Sequence, residues 1–178
     1  MADLRPMIAE HAERLRALHE AIHRAWRLKP HGAAHHAACR AFHVRFDALA
    51  FPGGLEAGRE RLKRLDPSTV EVAVQFLEED PWFHRSGYLK EEIVRRLKQA
   101  ELTQTQRNRL AEVVERSLVQ GTGRLARHLA RLAPCITSSA FVAGVGIQAR
   151  STQAEGRRRA QHVLRVLCSA RQVDEPPR

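Results

Sequence analysis

The sequence predicts an all-α protein built from antiparallel helix pairs. Apolar residues recur at helical spacing along almost the whole chain, and no segment shows the alternation typical of a strand. Prolines and glycines divide the periodic segments into stretches of about 12 to 20 residues joined by short turns. Such connections favour antiparallel neighbours, stacked either as a short solenoid or as an irregular helical bundle.

The first 65 residues predict three helices. Apolar residues fall on one face of a long first helix, which ends near Pro30. The second helix begins after Gly32 and ends at Pro52, and a short, charged third helix runs from about residue 55 to residue 65.

The middle of the chain carries the clearest helix boundaries. Asp66 is a predicted N-cap, with Pro67 at the first helical position, and the helix that follows ends at Asp80. After a loop, residues 86–100 predict the next helix. Thr103 and Gln106 have the spacing of a capping box that opens another one.

The C-terminal third predicts further helices. Gly121 and Gly123 separate the capping-box helix from a short helix with leucines on one face and cationic residues on the other. Residues 140–147 predict a buried helix, with a short strand as the alternative, because small and apolar residues surround this segment on all sides. A last amphipathic helix follows Thr152.

The section from Leu65 to about Ala133 resembles HEAT-like helical repeat proteins. Leu65, Asp66 and Pro67 introduce one helix, and alternating apolar faces follow at the spacing of helix pairs. The resemblance implies a noncatalytic scaffold that is stacked as an α-solenoid and binds protein or nucleic acid on its concave surface.

Composition predicts one cytoplasmic all-α domain over residues 1–173. This domain has a His-rich part (1–65), a helix-pair core (66–120) and an Arg-rich part (121–173), followed by a disordered tail (174–178). No apolar run is long enough to span a bilayer, and the N-terminus is charged, so we expect no membrane association. The three cysteines are widely spaced, which favours reduced thiols.

Positive charge is concentrated at the C-terminal end of the chain. Residues 116–173 contain ten arginines, no lysine and one acidic residue, Glu155. Arginine forms paired hydrogen bonds to phosphate, so this segment predicts sequence-independent contact with the backbone of DNA or RNA. The candidate phosphate-binding residues are Arg116, Arg124, Arg127, His128, Arg131, Arg157, Arg158, Arg159 and Arg165.

The loop from Asp80 to Tyr88 is rich in aromatic residues within a chain that has few of them. If exposed, it would bind a partner; if buried, it would fix the angle between two helix pairs, and we favour the buried arrangement. The candidate partner-binding residues are Trp82, Phe83, Arg85, Tyr88 and Lys90.

Seven of the ten histidines lie within the first 43 residues. Imidazole and thiol groups four residues apart on one helical face can chelate zinc, and a facing helix can complete the ligand set. The candidate metal ligands are His19, His23, His31, His35 and Cys39. Histidines of this kind are more often satisfied by neighbouring residues, so we expect neither a bound metal nor another cofactor.

No motif for a nucleophile, a P-loop or a dinucleotide site is present, so we expect a noncatalytic protein. The leading hypothesis is an accessory subunit that contacts nucleic-acid phosphates through its C-terminal arginines. The alternative is an adaptor or immunity-like protein that holds an acidic protein partner. A helical-repeat DNA glycosylase that uses Asp80 and Trp82 is a minor third hypothesis.

Overall fold

The computed structural model describes residues 2–121 and 125–173, with side chains described up to residue 170. All regular structure in these residues is helical, which confirms the predicted all-α class. The chain divides into two compact units, an N-terminal unit (Met1–Leu89) and a C-terminal unit (Lys90–Arg178). A solenoid stack and a single domain over 1–173 stay predictions, and the predicted tail lies outside the described residues.

The helices of the N-terminal unit follow the predicted boundaries closely. They are α1 (Arg5–Leu28), α2 (Ala33–Ala50), α3 (Leu55–Lys63) and α4 (Pro67–Glu79), and α5 (Ser86–Leu97) begins at the end of this unit. α1 packs along α2 and also against α4, while α3 contacts both α2 and α4. Leucine and phenylalanine side chains fill the core between them, among them Leu15, Phe42, Phe51, Phe76 and Leu77.

The start of α4 confirms the predicted cap. The Asp66 carboxylate accepts hydrogen bonds from the backbone N–H of Thr69 (2.8 Å) and from the Thr69 hydroxyl (2.7 Å). A hydrogen bond from the Ser68 hydroxyl, together with these two contacts from Thr69, lowers the pKa of Asp66 to about 2, since each of them favours the ionised carboxylate.

A buried glutamine joins the start of α1 to α4. Gln75 accepts a hydrogen bond from the Leu4 backbone N–H (2.7 Å) and donates one to the Ala2 carbonyl (3.2 Å). Leu4 is the N-cap residue of α1 and provides no capping side chain. A residue 71 positions away therefore satisfies backbone groups that precede the first helix.

The C-terminal unit is organised around α6 (Gln104–Gln120). The Thr103–Gln106 capping box predicted from the sequence is formed at its start. α6 contacts every later element of the unit: α7 (Leu125–Leu132), a 3₁₀ turn (Ala133–Ile136), α8 (Ser139–Gln148) and α9 (Ala154–Val173). Leu110, Val114, Leu129, Leu132 and Val163 are among the side chains that fill its core.

α8 is helical as predicted, but it is not buried on all sides. Only Phe141 and Val145, four residues apart, are buried, and Ile147 is 68% exposed. A ten-residue helix that packs on α6 and α9 covers a single stripe of its surface, so apolar composition alone overestimated its burial.

Two glycines permit the close packing of α8 and α9. A Cβ atom on Gly144 would overlap the Glu115 carboxylate of α6. A Cβ atom on Gly156 would overlap the Gln148 amide and approach the Leu118 carbonyl to 3.1 Å. Gly144 and Gly156 therefore serve helix contact, whereas a Cβ atom on Gly146 would meet nothing within 4 Å.

None of the described helices is long and apolar enough to cross a lipid bilayer.

We expect the Gln75→Met substitution to lower the free energy of unfolding by about 1 to 3 kcal/mol, because methionine fills a similar volume but leaves the Leu4 N–H and the Ala2 carbonyl unpaired. Both tryptophans, Trp26 and Trp82, lie in the N-terminal unit, so urea unfolding followed by tryptophan fluorescence measures the effect. The control is Gln104→Met, which removes an exposed side-chain pair with Asn108. Equal stability of the two variants would contradict the role given to Gln75.

Candidate functional site

The short helix α7 presents arginine on the side opposite its buried leucines. Leu125, Leu129 and Leu132 are buried, whereas Arg127 and Arg131 are exposed. The two arginines are one helical turn apart, about 6 Å along the axis, and they project from the same face. Among the residues that the structure describes, no carboxylate pairs with either of them. Both are therefore available to an external anion.

The outward face of α9 carries a second arginine pair. Arg158 and Arg165 are exposed, and at 100° per residue they lie opposite the buried side chains of Ala160, Val163 and Leu167. Seven residues separate them, about 10.5 Å along the helix axis. Neither forms an ion pair with another described residue.

Arg159 has a structural role at the end of α6. Its Nε donates a hydrogen bond to the Leu118 carbonyl (2.9 Å), and its Nη2 donates one to the Val119 carbonyl (3.2 Å). These carbonyls lie in the last turn of α6, where backbone acceptors lack intrahelical partners. Glu155 pairs with the same guanidinium at 3.3 Å. The side chain therefore caps a helix, in contrast to the exposed position expected from the sequence.

Two more members of the predicted set are turned toward the protein. Arg157 is half-buried, and its Nη1 donates a hydrogen bond to the Ser151 carbonyl at 2.9 Å. His128 is also half-buried, with its Nε2 3.6 Å from Oε2 of Glu91. Both groups are held by neighbours within the C-terminal unit.

The remaining two predicted residues add little to this surface. Arg116 is exposed on α6 and has an interaction partner within the chain. Arg124 lies outside the described residues.

The two units differ sharply in charge. The N-terminal unit contains 13 basic and 12 acidic residues, a formal net charge of +1, whereas the C-terminal unit contains 17 basic and eight acidic residues, a net charge of +9. In α1, Arg14, Arg16 and Arg24 each pair with a glutamate three or four residues away. Nearly all of the formal net positive charge of the protein therefore lies in the C-terminal unit.

The aromatic loop is partly buried and partly exposed. Phe83 is buried and packs edge-on against Phe46 and Phe76, with ring centroids 6.2 and 6.5 Å away. Trp82 and Tyr88 are 72% and 60% exposed. Phe83 therefore anchors the loop, while the side chains of Trp82 and Tyr88 are exposed to solvent.

The two basic residues of this candidate set also differ in exposure. Arg85 is exposed and has a positive φ of 68°, so the loop turns sharply at this residue. Lys90 is buried and has a partner within the chain, so it does not belong to the exposed surface of this loop. A buried ammonium needs a hydrogen-bonded partner, which the sequence alone did not reveal.

The histidines of the N-terminal unit form two groups instead of the predicted one. In the first group, the His19 ring stacks on His84 (centroids 4.5 Å apart) and meets His23 edge-on (4.6 Å). Burial, together with neighbouring His84 and His23, lowers the pKa of His19. His84 is exposed, but partial desolvation by its neighbours, followed by the charge of Arg85 and the proximity of His23, lowers its pKa. The neutral imidazoles of His19 and His84 are therefore favoured in the folded unit.

The second group consists of His31, His35 and His36. One ring nitrogen of each lies within 4.8 Å of the others, and His35 Nε2 is 3.4 Å from Cys39 Sγ. Within the described residues, no ring contact joins this group to His19 or His23. The five candidate ligands predicted from the sequence therefore divide between two separate clusters.

The prediction missed His36 and His84. His84 is distant in sequence from His19, and no local pattern connects them. His36 is adjacent to His35 and thus 100° away on an ideal helix, but His31 precedes α2, so a helical projection does not describe its direction.

Comparison with known proteins identifies no relative: no protein-family model, no curated protein sequence and no solved structure matches this chain. The resemblance of residues 65–133 to HEAT-like repeats therefore stays a prediction.

We expect the Arg159→Gln substitution to destabilise the protein by about 1 to 2 kcal/mol, because the Leu118 and Val119 carbonyls lose charged donors at the end of α6. Urea unfolding followed by circular dichroism measures the loss. Arg158→Gln is the matched control, because this neighbouring arginine is exposed and makes no such contact; we expect a change within about 0.5 kcal/mol. A neutral Arg159 variant would contradict the capping role.

Proposed function

We propose that the C-terminal unit binds the phosphate backbone of nucleic acid through the exposed arginines of α7 and α9. The observation that carries this proposal is the combination of a +9 unit with four exposed arginines that no described carboxylate neutralises: Arg127, Arg131, Arg158 and Arg165. A guanidinium matches a phosphate in geometry and keeps its charge at any physiological pH.

The chemistry of this surface favours the backbone over the bases. The only aromatic residue between positions 90 and 178 is Phe141, and it is buried. Stacking on unpaired bases therefore has no partner within the C-terminal unit. Contacts to phosphate position a protein on nucleic acid without reading its sequence, so the proposed binding has weak sequence preference.

The proposed role is that of a noncatalytic accessory subunit. The arginines supply affinity for the polyanion, and the proposal includes no chemical step.

Salt dependence measures the number of phosphates that are contacted. Four contacts predict a plot of log K against log salt with a slope of about −3.6 on duplex DNA, since each phosphate contributes about −0.9. We expect the double substitution Arg127→Gln/Arg131→Gln to reduce the slope to about −1.8 and to weaken binding at low salt. Fluorescence anisotropy with labelled DNA and RNA duplexes and single strands gives both quantities and ranks the substrates.

The matched control removes the same charge from the N-terminal unit. Arg16→Gln/Arg24→Gln also lowers the net charge by two, but these arginines pair with Glu13 and Glu20 on α1. We expect this variant to keep the wild-type slope. The same reduction in both variants would assign binding to diffuse net charge, and no binding at low salt would overturn the proposal.

A second candidate function is the binding of an acidic protein partner through the loop that follows α4. The exposure of Trp82 and Tyr88 favours it, because large exposed aromatic side chains are typical anchors of protein interfaces. Arg85 is exposed between them, and the unit carries nearly equal numbers of basic and acidic residues. Such a mixed-charge surface suits a protein partner better than a polyanion.

We expect the Trp82→Ala/Tyr88→Ala variant to lose any protein partner that uses this loop, while its affinity and salt slope for nucleic acid stay unchanged. Affinity purification from the native cells, compared with wild type, measures the first property, and anisotropy measures the second. Trp26→Phe controls for the loss of a tryptophan elsewhere in the same unit. Identical sets of retained proteins in all three purifications would contradict this second function.

A further inference from the structure

The turn between α1 and α2 brings three imidazole rings together. α1 ends at Leu28 and α2 begins at Ala33. His31 lies in the intervening turn with a positive φ of 55°, and His35 and His36 lie at the start of α2. The left-handed backbone at His31 costs energy for a residue with a Cβ atom, and here it turns the chain beside the first residues of α2.

The spacing of the three rings approaches that of ligands around one metal ion. The ligand nitrogens lie within 4.8 Å of one another. A tetrahedral zinc ion with Zn–N bonds of about 2.0 to 2.1 Å places its nitrogens about 3.4 Å apart. His31 and His36 are exposed, so rotation of their side chains can close a gap of this size.

The middle ring, His35, is held in place yet incompletely hydrogen-bonded. It packs edge-on against Trp26 of α1, with centroids 5.1 Å apart, and Trp26 also meets His31 at 4.7 Å. Its Nδ1 is buried without a hydrogen-bond partner, and its Nε2 faces the Cys39 thiol at 3.4 Å. Neither ring nitrogen donates to a carbonyl or carboxylate among the described residues.

We propose that His31, His35 and His36 bind one borderline transition-metal ion, with Zn²⁺ as the expected occupant and water in the fourth position. Imidazole ligands select Zn²⁺, Ni²⁺, Cu²⁺ and Co²⁺, while Mg²⁺ and Ca²⁺ require oxygen ligands. The bound ion fixes the turn between α1 and α2, since all three ligands lie within six residues there. This proposal is independent of the phosphate-binding function, which involves the other unit.

The fluorescence of Trp26 reports metal binding at this site. In the full-length, tag-free chain with Trp82→Phe, Trp26 is the only tryptophan and lies next to two of the three ligands. We expect Cu²⁺ or Ni²⁺ to quench its fluorescence with saturation at one ion per chain. Zn²⁺, measured by calorimetry, binds with the same stoichiometry, and its affinity decreases as the pH falls because protons compete for the imidazoles.

Ligand variants locate the site. His31→Asn, which tolerates the left-handed backbone, and His36→Gln are each expected to weaken Zn²⁺ binding by about tenfold or more, since even a group that only supports a ligand contributes 10- to 100-fold. His43→Gln, an exposed histidine on the same helix, is expected to bind as wild type does. Cys39→Ser is expected to retain binding. Circular dichroism confirms the helical content of each variant.

Three results would overturn the assignment. Zn²⁺ binding that is equally weakened by His43→Gln would show only adventitious chelation by a histidine-rich segment. Loss of binding in Cys39→Ser, accompanied by a thiolate-to-metal absorption band in the Co²⁺ form of the wild type, would replace the three-imidazole site with a different one. Absence of saturable quenching by Cu²⁺ and Ni²⁺, together with no heat of Zn²⁺ binding, would exclude a site.

Discussion

The constraint on which this structure depends is the satisfaction of backbone groups at helix ends. A chain of many short helices has many ends, and each leaves N–H or carbonyl groups without intrahelical partners. Asp66 and Thr103 satisfy the N–H groups at the starts of α4 and α6 from adjacent positions. Gln75 accepts a hydrogen bond from the backbone N–H of Leu4, 71 residues away, at the start of the first helix. Arg159 donates one to the Leu118 carbonyl, 41 residues away, at the end of α6. These long-range contacts fix how the helices of each unit meet.

The same constraint decides which arginines are available for function. The run from Arg157 to Arg159 looks uniform in sequence, but successive residues on a helix diverge by 100°. Arg158 points away from the buried face of α9, while its two neighbours flank that face and donate to backbone carbonyls. A guanidinium is a good helix cap for the reason that makes it a good phosphate ligand, since it presents several donors in a fixed plane. Part of the C-terminal charge is therefore used within the fold.

Local signals predicted most of the fold, and contacts between distant residues account for what was missed. Asp66 before Pro67, and Thr103 before Gln106, specify helix starts within four residues, so both could be read from the sequence. The stacking of His19 on His84 and the capping by Arg159 depend on how helices pack, and no local pattern encodes them. The histidines near the start of the second helix show the limit most clearly: the spacing of four residues grouped His31 with His35 on one helical face, but His31 lies in the turn before that helix begins.

The distribution of acids, more than the choice of arginine, supports a polyanion partner for the C-terminal unit. Arginine outnumbers lysine 26 to 4 over the chain, and each unit contains only two lysines, so the bias toward arginine is shared by both units and does not distinguish them. Such a bias does not explain why 12 acidic residues accompany 13 basic ones in the N-terminal unit while eight accompany 17 in the other. A unit that keeps this excess charge bears a cost in self-repulsion, which a bound polyanion relieves.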